Sequence, residues 1–166
     1  MEPLNATDKN VFYDQETNRC HIIGTILLEK TDADTVRDVI ASRMTSKFYR
    51  LRSKMVKILD SYYFKEFEPN ELKQQVDNSI FVRPDIKTME QMSELMSQEQ
   101  NLFLPEDSLQ WRAWIVPNLE GDESAIIIKG HHVLGDGLAW LLMFGAIEDN
   151  YKPENWIQTT KVIGWF

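Results

Sequence analysis

The sequence predicts a mixed α/β domain in which a largely antiparallel sheet is flanked by helices. Three observations carry that reading: dense apolar runs with β-branched residues at 20–30 and 125–132, period-two alternation at 109–117, and helical apolar spacing in several of the remaining segments. The chain of 166 residues is about one domain long. That length buries a real core without disulfide or metal staples. No internal repeat or linker composition interrupts it.

Residues 1–19 are polar and rich in turn formers. "CHIIGTILLEK", 20–30, reads as a strand. "TDADTVRDVIASRM" follows with Thr31 and Asp32 as candidate caps and Val36, Val39, Ile40 and Met44 at helical spacing. Residues 54–85 mix aromatic and charged side chains around Pro69 and Pro84, a pattern expected of short strands and connecting turns. "TMEQMSELMSQEQN", 88–101, places Met89, Met92, Leu95 and Met96 on one helical face, with acids near its start to suit the helix dipole. That stripe is read as adaptable core packing. In "LQWRAWIVP", Leu109, Trp111, Ala113 and Ile115 point one way while Gln110, Arg112 and Trp114 point the other, the pattern of a half-buried strand. After the loop "NLEGDES", the run "AIIIKGHH" completes an antiparallel hairpin whose second strand is buried on both faces. "VLGDG" then leads into an apolar helix from 138 to about 149.

Eighteen Lys and Arg against 26 Asp and Glu leave a net charge of −8, so the surface as a whole repels nucleic acid, and no nucleic-acid partner is expected. The densest basic stretch, "KFYRLRSKMVK" at 47–57, fits one polar helix face, with contact to an anion or support of an active site as the alternatives. Cys20 is the only cysteine, which rules out an intramolecular disulfide and points to a reducing compartment. The start "MEPLNATDKN" has neither the basic nor the apolar part of a secretory signal. The longest apolar run, 138–147, is half of the roughly twenty residues that span a bilayer. An intracellular protein is expected, in the cytoplasm or on the surface of an organelle or membrane.

The chemistry concentrates in "KGHHVLGDGLAW", 129–140, which holds two of the three histidines in the chain. His131 and His132 could be strand-end residues bonded to nearby backbone, with Gly135 and Gly137 serving a turn that needs positive φ. Three features favour a site. Alternation sends the two imidazoles to opposite faces, Asp136 lies four residues beyond His132, and Gly137 lets the backbone come close. A metal site built on His132 and Asp136 would need another ligand, with His21 the only further imidazole. The loop lacks the Gly-Lys-Ser/Thr ending of a phosphate cradle, and the chain has no G-x-S-x-G elbow. General base catalysis fits best: an imidazole held by hydrogen bonds takes a proton from a hydroxyl near neutral pH and returns it to a leaving thiolate.

His131-His132-Val133-Leu134-Gly135-Asp136-Gly137 resembles H-H-x-x-x-D-G, the signature of the CoA-dependent acyltransferase superfamily. That superfamily includes wax ester synthase/diacylglycerol acyltransferases, peptide-synthetase condensation domains, and chloramphenicol and carnitine acyltransferases. "PLNATDKNVFYDQE" is similar to the opening of the wax ester synthase/diacylglycerol acyltransferase branch, "CHIIGTILLE" to its first strand, and "LQWRAWIV" to its P-L-W-x-x-x-L/I segment. The similarity is collinear over residues 1 to about 150.

The resemblance implies one lobe of a chloramphenicol-acetyltransferase-like fold over 1–150, with 151–166 a tail or the start of a crossover to a second lobe. It implies transfer of a fatty acyl group from acyl-CoA, a co-substrate rather than a bound cofactor, to a long-chain alcohol or diacylglycerol. His132 would be the general base and His131 its less critical neighbour. Asp136 would support the loop through an ion pair, and Gly137 would permit the close turn. "RLRSKM" is similar to the L-R-T-x-F motif of condensation domains, which makes Arg52 the expected partner of Asp136. Breaking such a buried pair from one side costs about 3 to 5 kcal/mol. No bound cofactor and no metal are implied.

Some features depart from the family. Residues 56–108 show no clear match, Gln110 interrupts the Pro-Leu-Trp pattern, and the Asn-Asp motif of the second lobe occurs nowhere in the sequence. The resemblance implies two similar lobes with a tunnel between them; half a tunnel cannot orient two substrates, and an isolated lobe is expected to be a poor catalyst. The expected partner is therefore a second lobe, either on a longer chain or on a separate protein. The alternative is a non-catalytic structural or interaction subunit built on the same lobe. The apolar "KVIGWF" at 161–166 calls for something packed on it, and apolar surface could also rest peripherally on a membrane.

Overall fold

The computed structural model describes residues 1–13, 20–149 and 152. The chain begins with β1 (Glu2–Pro3), α1 (Ala6–Tyr13), β2 (His21–Glu29) and α2 (Ala33–Val39). A π-helical turn at Ile40–Met44, α3 (Thr45–Lys47) and a 3-10 turn at Tyr49–Arg52 lead to β3 (Ser53–Ile58) and β4 (Ser61–Glu66). Next come α4 (Pro69–Asp77), β5 (Ile80–Val82), α5 (Met89–Gln100), β6 (Trp111–Leu119) and β7 (Glu123–His131). A 3-10 turn at His132–Leu134 opens α6 (Gly137–Gly145).

The mixed α/β class holds, with strands in two sheets ordered β1-β4-β3 and β2-β7-β6-β5. Pairing is antiparallel throughout except for β5, which runs parallel to β6. The hairpin β6–β7 closes at Gly121 and Asp122, both at positive φ, where glycine adopts the left-handed backbone without a Cβ penalty.

Strand alternation divides the interior. Ala113, Ile115, Ile126 and Ile128 join one apolar cluster with Val36, Ile40 and Met44, Trp140 and Met143 of α6, and Met55 and Phe64 of the smaller sheet. Trp114, Val116, Ala125 and Ile127 point the other way, onto Met92 and Leu95 of α5. β7 is therefore buried on both faces, as its uniform apolar run predicts. β6 is too, so the half-buried strand expected there is corrected. The helix α5 covers the face that alternation alone leaves open to solvent.

The helix starts follow local chemistry. Asp32 caps α2 by accepting the Thr35 N–H at 2.9 Å. Thr88 and Gln91 form a reciprocal capping box on α5, satisfying donors that the first helical turn leaves unpaired. On α5 the methionine stripe splits: Met92 is buried and Met89 exposed.

Two helices lie where the sequence suggested turns. Asn5 caps α1, its side chain accepting the Asp8 N–H at 2.8 Å, and the helix buries Phe12. α4 starts with Pro69 in its first turn and buries Val76. Each is about two turns long with few buried apolar residues, too little to raise a periodic signal.

Candidate active site

The site is assembled at the end of β7. Gly130 leaves room for Trp140: a Cβ built there would lie 2.0 Å from Cη2 of the indole. The His131 N–H donates to the Gln110 carbonyl at 2.9 Å, and the His132 N–H donates to the Cys20 carbonyl at 2.7 Å. The turn closes when the Gly135 N–H donates to the His132 carbonyl at 3.2 Å. Asp136 then caps α6 by accepting the Ala139 N–H at 2.9 Å.

The two histidines separate, as strand alternation predicts. His131 is 1% exposed and its Nδ1 accepts the Val133 N–H at 3.0 Å. A ring that accepts at Nδ1 is neutral and carries its proton on Nε2. Burial, followed by the neighbouring His21 and His132, pushes the His131 pKa down to about 3. Its ring packs edge-on against Phe12 and His21, at centroid distances of 5.3 and 5.5 Å. Nε2 is buried and makes no hydrogen bond among the described residues.

His132 is half-buried and lines a groove of about 550 Å³. Val11 of α1, Phe48, Leu134, Leu142 and Met143 give the groove apolar wall, while Asn5, Asp8, Arg50 and Asp136 add polar groups. The expected site residues thus take three positions. His132 and Asp136 line the groove, His131 lies in the core, and Gly137 begins α6.

Two expectations are corrected. Arg52 does not pair with Asp136: its Nε is bonded to Glu66, and its Nη1 donates to the Thr45 and Ser46 carbonyls at 3.1 Å. Asp136 serves the loop as a helix cap instead. Gly137 is not the residue that the close turn requires, since a Cβ there meets nothing within 4 Å. The tight position is Gly135, whose Cβ would lie 2.5 Å from that of Ala139. Its φ of 167° is extended, so contact and not backbone conformation selects glycine.

Sequence reasoning missed Arg50, the arginine that reaches the histidine loop. Its Nη1 donates to the Val133 carbonyl at 2.9 Å, and its Nη2 lies 2.7 Å from Glu2 and 3.0 Å from Asp8. Burial lowers the pKa of this guanidinium, but hydrogen bonds and charge from Glu2 and Asp8 outweigh it and raise the net value. The available signal was the pair of acids in the first eight residues, which need a cation once the chain folds back on itself.

Among the described residues no three His, Cys, Asp or Glu side chains are arranged to hold a metal ion. Nor is any helix there long and apolar enough to cross a membrane. The tail at 151–166, including "KVIGWF", lies outside the described residues apart from Lys152.

No protein-family model matches the chain, and no curated protein matches it in sequence. Solved structures do match in fold. The wax ester synthase/diacylglycerol acyltransferase of Marinobacter aquaeolei VT8 aligns at 19% identity and TM-score 0.64, covering 87% of this chain and 37% of that one. The first condensation domain of the calcium-dependent antibiotic synthetase aligns at 10% identity and TM-score 0.69, over 88% of this chain and 37% of that one. The starter condensation domain of rhizomide synthetase RzmA, solved as a variant in complex with C8-CoA, aligns at 11% identity and TM-score 0.67, over 88% and 34%. At these identities the likeness shows the fold alone.

The class is therefore one lobe of the chloramphenicol-acetyltransferase-like fold used by condensation domains and acyltransferases. The chain spans about a third of the length of these structures, 34 to 37%.

Proposed function

We propose that the chain is the N-terminal lobe of an acyl-CoA-dependent O-acyltransferase of the wax ester synthase/diacylglycerol acyltransferase type, with His132 as general base. The observation that carries this reading is the division of labour between adjacent histidines. His131 is committed to the Val133 N–H inside the core, while His132 lines the groove.

The acceptor hydroxyl adds through oxygen to the thioester carbonyl as His132 takes its proton. The tetrahedral adduct then collapses, the C–S bond breaks, and the imidazolium returns the proton to the departing thiolate. The apolar wall formed by Val11, Phe48, Leu142 and Met143 suits an alkyl chain on one substrate. A condensation domain of this fold solved with C8-CoA supports acyl-CoA as the donor class. Fixing both substrates requires a second wall, supplied by a further lobe or a partner chain, because positioning contributes about 7 to 11 kcal/mol to such a reaction. Leu138 and Leu141, 52% and 53% exposed on α6, offer apolar surface for that wall or for a membrane.

The test is thiol release from a long-chain acyl-CoA in the presence of a long-chain alcohol or diacylglycerol, using the full protein that contains this lobe. His132→Ala should lower the rate by about 10²-fold or more, the contribution of a general base. Equal rates in wild type and variant would remove the catalytic role and leave the non-catalytic subunit reading.

A further inference from the structure

Val133 is held from both sides. Its N–H donates to Nδ1 of His131 at 3.0 Å, and its carbonyl accepts from Nη1 of Arg50 at 2.9 Å. His132, one residue earlier, has its own N–H on the Cys20 carbonyl and its own carbonyl on the Gly135 N–H. With these groups anchored, the backbone that carries the His132 ring has little freedom left, because a planar peptide moves only through φ and ψ. Among the described residues, Arg50 is the only side chain from outside the loop in this set.

Arg50 is itself fixed. Its Nε and Nη2 donate to Oε1 of Glu2 at 3.1 and 2.7 Å, and Nη2 lies 3.0 Å from Oδ2 of Asp8. Its Cζ lies 4.8 Å from the centroid of the buried Phe64 ring. We infer that Arg50 is the positioning residue of His132, linking the Val133 carbonyl to the Glu2 and Asp8 carboxylates and so setting how the imidazole enters the groove.

The assignment rests on the reading of His132 as the base. It also makes the first eight residues part of the active-site frame, since β1 and α1 supply both carboxylates. A lysine cannot substitute, because an ammonium lacks the planar fork that serves a carbonyl and two acids together.

The experiment uses the full protein with histidines labelled at 13Cε1, in wild type, Arg50→Lys and Glu2→Gln, followed by kinetics and NMR. Misplacing a catalytic group by about 1 Å costs up to ~10²-fold. Arg50→Lys should therefore lower kcat by about tenfold or more while the KM for acyl-CoA stays within about twofold, the pattern of an interaction that matters in the transition state. The His132 Cε1–H signal should shift or broaden in the same variant. Glu2→Gln, which alters a partly exposed carboxylate and leaves the core intact, should move both readouts in the same direction by less.

A raised KM with unchanged kcat would overturn the inference, since Arg50 would then be contacting substrate. An unmoved His132 signal in the folded variants would overturn it as well. If Arg50→Lys does not fold, Glu2→Gln decides. If His132→Ala keeps full activity, the proposed reaction role fails, and the NMR comparison still decides whether Arg50 positions the ring.

Discussion

Gly130 and Trp140 pack without a gap, so that a Cβ on the glycine would lie 2.0 Å from Cη2 and 2.4 Å from Cζ2 of the indole. The contact joins the end of β7 to α6 and sets the separation that the histidine loop must bridge. Gly130→Ala forces the indole, and α6 with it, away from the sheet. Overpacking of this kind costs about 1 to 3 kcal/mol. The expected result is a lower urea midpoint with an unchanged slope and, if the proposed acyl transfer holds, a loss of it larger than the loss of folded protein explains.

The other two loop glycines should respond in opposite ways. Gly135→Ala places a methyl 2.5 Å from the Ala139 Cβ and 3.4 Å from Met143 Cε, so it should destabilise by about 1 to 3 kcal/mol. Gly137→Ala meets nothing within 4 Å and lies in the first turn of α6. It should be neutral or stabilising by up to about 1 kcal/mol, because alanine restricts the unfolded chain more than glycine does. Thermal or urea unfolding of the two variants side by side checks the contrast.

Asp136 acts as a cap and not as half of an ion pair with Arg52. Asp136→Ala should cost about 0.5 to 2 kcal/mol, whereas Asp136→Asn, which keeps the oxygen that accepts the Ala139 N–H, should lose little. A large loss in the Asn variant would mean that the negative charge itself is required. Chemical denaturation of both variants distinguishes the two roles.

His131 carries a pH signature. Its folded pKa of about 3 lies below the ordinary 6.5, so between those values the unfolded chain binds a proton that the folded chain does not. The stability tied to the neutral ring is fully present above pH 6.5 and is lost as the pH falls toward 3. The slope approaches about 1.4 kcal/mol per pH unit within that window. Unfolding free energies across the window should fall less steeply for His131→Gln, which keeps an acceptor for the Val133 N–H and does not titrate. Parallel curves would refute the assignment of a buried neutral imidazole.

Much of the architecture was legible in residue patterns because those patterns report burial directly. The run at 125–131 has no polar break before Lys129, and it folds as a strand covered on both faces. Even Lys129 is fully buried, its ammonium donating to the Leu102 carbonyl at 2.6 Å and to the Glu99 carbonyl. The helix at 89–100 showed its inward face in Met92 and Leu95. The short helices α1 and α4, whose buried apolar residues among those described are Phe12 and Val76 alone, left no such trace. Nor could alternation in β6 reveal that α5 covers its second face, since the partner lies in a different part of the chain.

The sequence by itself determined the strand–loop–helix around His131 and His132, because glycine positions, caps and apolar periodicity act over a few residues. Tertiary structure decided which histidine faces the groove and which arginine serves it. Arg50 and Arg52 are two residues apart on one 3-10 turn and identical in chemistry. Only the packing of β1, α1, β4 and the His132–Leu134 turn around the Tyr49–Arg52 turn places Glu2, Asp8 and the Val133 carbonyl within reach of Arg50, and Glu66 within reach of Arg52. Charge pairing depends on distances of a few ångströms in three dimensions, and spacing along the chain does not record them.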